Sequence, residues 1–267
     1  MTHSSKSGFS LIELTIVIAI IGVLIGATMV GRDFINKADL ADAMAEAESL
    51  TQAYNRFLER YGEPPGDFTG ATDIWGARST CPPPGASGIN GTDTCDGDGD
   101  QKIDGDSATP YETFLATQHL SLATLIPGLY TGASADAADL DSGDPGVNLP
   151  TGAHEDSAFY FNYVGDSGNF YTNAAGVQYF TGRYGQVLIY GRYYEDRLPF
   201  KPALTPQEML IWDEKADDGL PAYGRVVSYK PTWAVHSDCA TTDTHATALY
   251  NTSYDAPACA LIYKINP

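Results

Sequence analysis

Basic residues are scarce in this chain: 15 Lys and Arg stand against 34 Asp and Glu, for a net charge of −19. A surface of that sign repels phosphate backbones, which argues against nucleic acid as a direct partner. It suits divalent cations, and it also keeps an exported protein soluble. Cysteine is sparse as well. Cys81, Cys95, Cys239 and Cys259 include no C-x-x-C, so a thiolate zinc cluster is disfavoured; two locally spaced pairs suit disulfides outside the cytoplasm. Catalytic signatures are missing, with no G-x-S-x-G, H-E-x-x-H, P-loop or dinucleotide fingerprint. Among the histidines only His236 and His245 cluster with a cysteine, Cys239, and a disulfide at that cysteine removes the metal reading. The acid pairs Glu155-Asp156 and Glu195-Asp196 are of the type glycosidases use, but adjacent acids are common at turns. No enzyme is expected.

Proline is absent before Pro64, and charge is nearly absent from Phe9 to Val30. That stretch, FSLIELTIVIAIIGVLIGATMV, is apolar for long enough to cross roughly 30 Å of hydrocarbon as a helix. Its one charge is Glu13. Ahead of it stands MTHSSKSG, whose Lys6 is the only Lys or Arg before the run and places the N-terminus on the cytoplasmic side. A secretory signal peptide would have an apolar core of about 7–15 residues followed by a small-residue cleavage site. This run is longer, and a carboxylate inside it costs on the order of a few kcal/mol unless a cation pairs with it.

The hexapeptide Gly8-Phe9-Ser10-Leu11-Ile12-Glu13 resembles the prepilin motif of type IV pilins and type II secretion pseudopilins. The resemblance implies cleavage between Gly8 and Phe9 by a prepilin peptidase, N-methylation of Phe9, and pairing of Glu13 with the N-terminal amine of a neighbouring subunit during assembly. A buried carboxylate and a buried ammonium from different chains would each offset the other's desolvation. Many family members carry a proline near the far end of the membrane helix, where this chain has Gly22, Gly26 and Gly31. Glycine weakens a helix by about 1 kcal/mol relative to alanine, so local melting is allowed without being required. Gly22 and Gly26 also have the spacing of a small-residue packing face.

Beyond the run, Leu40, Met44, Ala47, Leu50, Tyr54, Phe57 and Tyr61 recur every three or four residues, which predicts one apolar helical face used as core. Gly62, Pro64 and Pro65 stop the helix. The expected organisation is a leader over 1–8, a membrane and stalk helix over 9–62, and a globular extracellular domain over 63–267.

Residues 63–150 are rich in Gly, Pro, Asp, Ser and Thr and read as loop, with one helix over Pro110–Leu125. Inside this region Asp96, Asp98, Asp100, Lys102 (through its carbonyl), Asp104 and Asp106 alternate with other residues in a pattern that resembles an EF-hand or dockerin calcium loop. Gln101 stands where the loop would have glycine and Ser107 where it would have glutamate, so Asp106 or Glu112 would have to complete a Ca²⁺ shell. Asp136, Asp139, Asp141 and Asp144 lack the spacing and read as a solvated loop. From Phe159 to Tyr194, short aromatic and β-branched runs (FYFNYV, VQYF, QVLIYGRYY) between Gly and Asn turns predict antiparallel strands packed on the stalk. Thr205 and Pro206 open a short helix, Asp217-Asp218-Gly219-Leu220-Pro221 makes a tight turn, and Ala260–Ile265 is a final strand. The stretch from Trp212 to Pro221, the cysteine pair and that strand resemble the C-terminal end of a subset of prepilin-like proteins.

The fold class is therefore α+β: a long N-terminal helix packed on a loop-rich domain with an antiparallel sheet, type IV pilin-like. By resemblance, the function is that of a subunit of a type IV pilus-like helical homo-oligomeric filament. It would wait in the lipid bilayer of the bacterial inner membrane as a single-pass precursor. An assembly platform and cytoplasmic motor would then lift it to the periplasm and cell surface. A type II secretion pseudopilin, and a minor or tip pilin acting as an adhesin, are the alternatives.

Overall fold

The computed structural model describes residues 10–81, 93–104, 112–135, 141–166, 180, 182–194, 197–229, 236–242 and 244–265. It divides into two units, Met1–Ala41 and Asp42–Pro267. Both draw on one helix, α1 (Leu11–Tyr61).

In the first unit Ser10 opens the helix. Its hydroxyl accepts the Ile12 N–H at 3.3 Å, and its own N–H donates to Glu13 Oε2 at 2.9 Å, a capping-box arrangement that satisfies two donors at the start of the helix. Apolar side chains then point outward on every face, from Leu11 (81% exposed) through Ile18 and Val23 to Ile25. A helix apolar all round calls for an apolar environment on all sides. Among the described residues no helix is long and apolar enough to cross a membrane. Phe9 and the side chains of residues 27–33, part of the expected run or next to it, lie outside those residues.

In the second unit α1 buries Ala43, Ala47, Leu50, Ala53, Tyr54 and Phe57. This is the expected face rotated slightly. Met44 and Tyr61 are half-buried, and Ala43 and Ala53 take their places, because small residues let the helix approach its neighbours closely. Gly62 ends the helix at φ +81°, a conformation glycine adopts without the Cβ penalty, and its N–H reaches Leu58 O at 2.8 Å.

After a short helix α2 (Ala71–Trp75) comes α3 (Glu112–Leu122), buried from Glu112 to Ser121; it ends before the predicted Leu125, while the predicted start at Pro110 lies outside the described residues. The sheet is antiparallel throughout: β1 (Ser157–Asp166), β2 (Arg183–Tyr194), β3 (Arg197–Lys201), β4 (Val226–Tyr229) and β5 (Ala260–Lys264). The spatial order is β1-β2-β5-β4, with β3 paired to β2. Two of the predicted runs form β1 and β2, paired Phe159↔Tyr190 and Phe161↔Leu188; of the VQYF run, only Phe180 is described. Tyr54 of α1 stacks on Phe161 of β1 at 5.8 Å between ring centroids, so the strands do pack on the stalk part of α1.

Helix α4 (Pro206–Ala216) begins with a full capping box, Thr205 Oγ1 accepting the Glu208 N–H while Glu208 accepts the Thr205 N–H, and buries Met209 and Trp212. One more turn of helix, α5 (His236–Cys239), leads to the second disulfide. Cys81–Cys95 and Cys239–Cys259 are both bonded, with Cα separations of 5.8 and 5.1 Å.

Candidate functional sites

The acid-rich loop of residues 93–104 turns its backbone, more than its carboxylates, toward the interior. Asp67, fully buried, accepts the N–H groups of Gly99 (2.6 Å), Asp100 (3.2 Å) and Gln101 (2.8 Å). Glu112, at the start of α3 and equally buried, accepts those of Asp98 (3.0 Å) and Asp104 (3.2 Å). The loop lies so close to Asp67 that a Cβ at Gly97 would fall 2.3 Å from the Asp67 backbone carbons, a contact only glycine permits.

Burial pushes the Asp67 carboxyl up to about 6, with Asp98 and Asp100 adding to the shift and the Gly99 and Gln101 N–H groups opposing it. Glu112 is driven further, to about 8, again by burial first. His119 pins the same region from α3. Its Nδ1 accepts the Gly66 N–H at 3.0 Å, so Nε2 carries the proton and faces Thr94 Oγ1 and Cys95 O at 3.1 Å, and burial lowers its pKa to about 4.

Of the alternating residues, the structure brings Asp98 together with Asp67 and Glu112, one oxygen of each lying within 4.8 Å of the others. These three are the residues there that could hold a metal. Asp96 turns to Thr72, accepting its N–H at 2.7 Å and its hydroxyl at 2.8 Å. Asp100 accepts the Lys102 N–H and pairs with its ammonium. The Asp104 carbonyl accepts the Glu112 N–H at 3.2 Å. Asp106 lies outside the described residues. Asp67 has no counterpart in the sequence reading; it stands some thirty positions before the loop that closes on it.

A second carboxylate group sits at the C-terminal end of α4, where Asp213, Asp217 and Asp218 each bring an oxygen within 4.8 Å of the other two. Asp213 is fully buried. Its Oδ2 accepts the Tyr250 hydroxyl at 2.7 Å, and its Oδ1 has no hydrogen-bond partner. Burial pushes this carboxyl up to about 7; the Asp217 and Asp218 charges add to the shift, while the Tyr250 hydroxyl and the Gly219 N–H oppose it. Next to this group a cleft of roughly 710 Å³ is lined by Tyr163, Arg183, Tyr184, Asp217, Arg225 and Lys264. Three basic residues in the lining of one cleft, in a chain with 15 of them, are a local exception to its acidity.

Gly8 and Phe9 lie outside the described residues, as do Asp136, Asp139, Glu195, Asp196 and the side chain of His236. Glu13 holds the helix cap described above and is the only charged residue between positions 10 and 31. Asp141 is buried and faces Arg197 at 3.8 Å, so part of the second acidic patch is packed into the domain.

The architecture is α+β: a long N-terminal helix that opens on a largely apolar, acid-capped segment, followed by a domain with an antiparallel sheet. Residues 3–29 match the family model described as the prokaryotic N-terminal methylation motif. A fimbrial protein of Neisseria meningitidis serogroup B is 37% identical over 70 residues, 26% of this chain and 41% of that protein, so the chain spans well under half of the relative it matches. No solved structure matches. The similarity to pilin-type proteins is thus carried by the N-terminal segment.

Proposed function

We propose that the chain is a structural subunit of an extracellular type IV pilus-like filament. The observation that carries this reading is the Leu11–Ile25 part of α1: apolar side chains exposed on every face, interrupted by a single carboxylate, Glu13, one turn from the proposed cleavage point. Before assembly such a helix is solvated by lipid, with the inner membrane holding the precursor. In the filament, lipid contacts are exchanged for helix contacts with other copies. A prepilin peptidase removes residues 1–8, Phe9 is methylated, and its ammonium becomes the partner of Glu13 on a neighbouring subunit. An assembly platform and cytoplasmic motor supply the lift. In the single chain Glu13 is held by the Ser10 N–H; an ammonium partner makes the stronger, charge-assisted bond.

The test is Glu13→Ala. Cleavage and methylation, read by the mass of the N-terminal peptide, are expected to persist, and sheared surface filaments are expected to fall at least tenfold. Filaments at wild-type yield from this variant would sink the reading. Wild-type protein that is processed but confined to the membrane fraction would move the role to a type II secretion pseudopilin. The cleft beside Lys264 supports a further variant, a minor or tip subunit that binds an anionic ligand through its Arg, Lys and Tyr lining. In that case loss of ligand binding in Lys264→Ala would leave filament yield unchanged.

A further inference from the structure

We propose that Asp213, Asp217 and Asp218 form a site for a hard divalent cation at the C-terminal end of α4, with the buried Asp213 as its anchoring ligand. The inference goes beyond the filament role and stands whether or not the chain polymerises. It also differs from the acid-alternating loop, whose two buried carboxylates are already saturated by backbone donors.

Three observations converge on the site. Asp213 Oδ1 is buried and has no hydrogen-bond partner of ordinary geometry, while Oδ2 is well satisfied by Tyr250 and the Gly219 N–H acts on the carboxyl more weakly than Tyr250 does. A buried polar atom without a partner is rare and costly, and protonating this oxygen would only replace an orphan acceptor with an orphan donor. Next, Asp217 spends Oδ2 on the N–H groups of Arg225 and Val226, and Asp218 spends Oδ1 on the Leu220 N–H at 2.9 Å. Each of the three carboxylates thus keeps an oxygen that these hydrogen bonds leave uncommitted, and each brings an oxygen within 4.8 Å of the other two. Finally, no basic side chain fills that point. Arg225 directs its guanidinium to the Lys264 carbonyl at 3.0 Å and over the Tyr263 ring, and the Lys264 ammonium lies over the Tyr184 ring. Among the described residues neither forms an ion pair with the three acids.

The local fold sets this geometry. The last turn of α4 presents backbone carbonyls and the negative end of the helix dipole, an unfavourable place for Asp213 unless a cation is close. The chain then folds back through Gly219 (φ +75°) and Gly224 (φ +70°). A Cβ at Gly224 would lie 1.6 Å from Asp217 Oδ2, so the glycine is what lets the returning strand hold Asp217 beside Asp213. An all-oxygen set with one buried ligand and two exposed ones is the donor chemistry of Ca²⁺, with water completing the shell, and the exposed pair gives the ion a way in.

The test uses the full chain in detergent, stripped with EDTA and then dialysed against CaCl2. Wild type is expected to melt roughly 3–5 °C higher in saturating calcium than in EDTA. Bound calcium per chain is expected to drop by one in Asp213→Asn, which keeps an acceptor for Tyr250, and calcium affinity to fall at least tenfold in Asp218→Asn, an exposed position that does not endanger folding. Asp98→Asn should leave both readouts as in wild type. An unchanged melting temperature in wild type, calcium binding retained in Asp213→Asn and Asp218→Asn, or binding lost only in Asp98→Asn would each overturn the proposal. Filament yield is not a readout here, so failure of this site is distinguishable from failure of the pilin reading.

Discussion

The two carboxylate clusters of the second unit use the same residue type to opposite ends. At Asp67 and Glu112 the chain surrounds buried acids with five N–H groups, so the loop is organised by carboxyl groups it did not itself supply. At Asp213 one oxygen is matched by Tyr250, the other has no hydrogen-bond partner, and two further acids stand close by. Density of aspartate is therefore a poor guide to where a cation belongs. What counts is the balance between carboxylate oxygens and the donors already committed to them. The loop with the calcium-like spacing is close to balance; the turn after α4, with no such spacing, is short of donors.

The widest gap between the clusters should open in Glu112→Ala. Removing this side chain leaves the Asp98 and Asp104 N–H groups without acceptors and empties a buried volume, so stability is expected to fall by about 3–5 kcal/mol in urea titrations of the full chain. Asp213→Asn in EDTA should instead stay within about 1 kcal/mol of wild type, because the amide keeps the Tyr250 contact and relieves the repulsion from Asp217 and Asp218. If the two variants cost the same, the distinction between balanced and unbalanced clusters fails.

Between those extremes lies the pH response. Glu112, Asp213 and Asp67 all have folded-state pKa values above their ordinary ones, at about 8, 7 and 6, so the folded state holds more protons than the unfolded chain across that range. Stability from these groups is fully present below the unfolded values and is lost as pH rises through the folded ones. His119 acts in the other direction, its pKa lowered to about 4, but only below its unfolded value near 6.5. In EDTA the melting temperature is thus expected to be higher at pH 6.5 than at pH 8. Glu112→Gln should remove the largest share of that difference, and saturating calcium should remove the share belonging to Asp213. A flat profile from pH 6.5 to 8 in EDTA would contradict the burial argument for both clusters.

Features written in neighbouring residues were legible in the sequence. The apolar face of α1, its Gly62 stop, the Thr205 and Pro206 start of α4, two of the strand runs and the final strand all depend on spacings of a few residues. The prepilin hexapeptide is equally local, and it was the strongest functional signal. Partnerships across long stretches of chain were not legible. Asp67 meets a loop more than thirty residues away, and Asp213 meets Tyr250 across thirty-seven positions; neither spacing carries a period or a turn signal. The helix-end acid followed four and five residues later by Asp217-Asp218-Gly219 reads in sequence as a turn alone, because Asp213 is buried by the tertiary fold and meets its Tyr250 partner across thirty-seven positions.

The placement of β5 has a consequence for the order in which the domain can be finished. Of the described strands it comes last along the chain, yet it lies inside the sheet, between β2 and β4. A chain formed only as far as β4 exposes two unpaired edges facing a gap, the kind of surface that recruits strands from other molecules. Docking of β5 closes both edges at once and carries Cys259, at its threshold, to Cys239. Oxidation of that pair therefore follows, in structural order, the completion of the sheet.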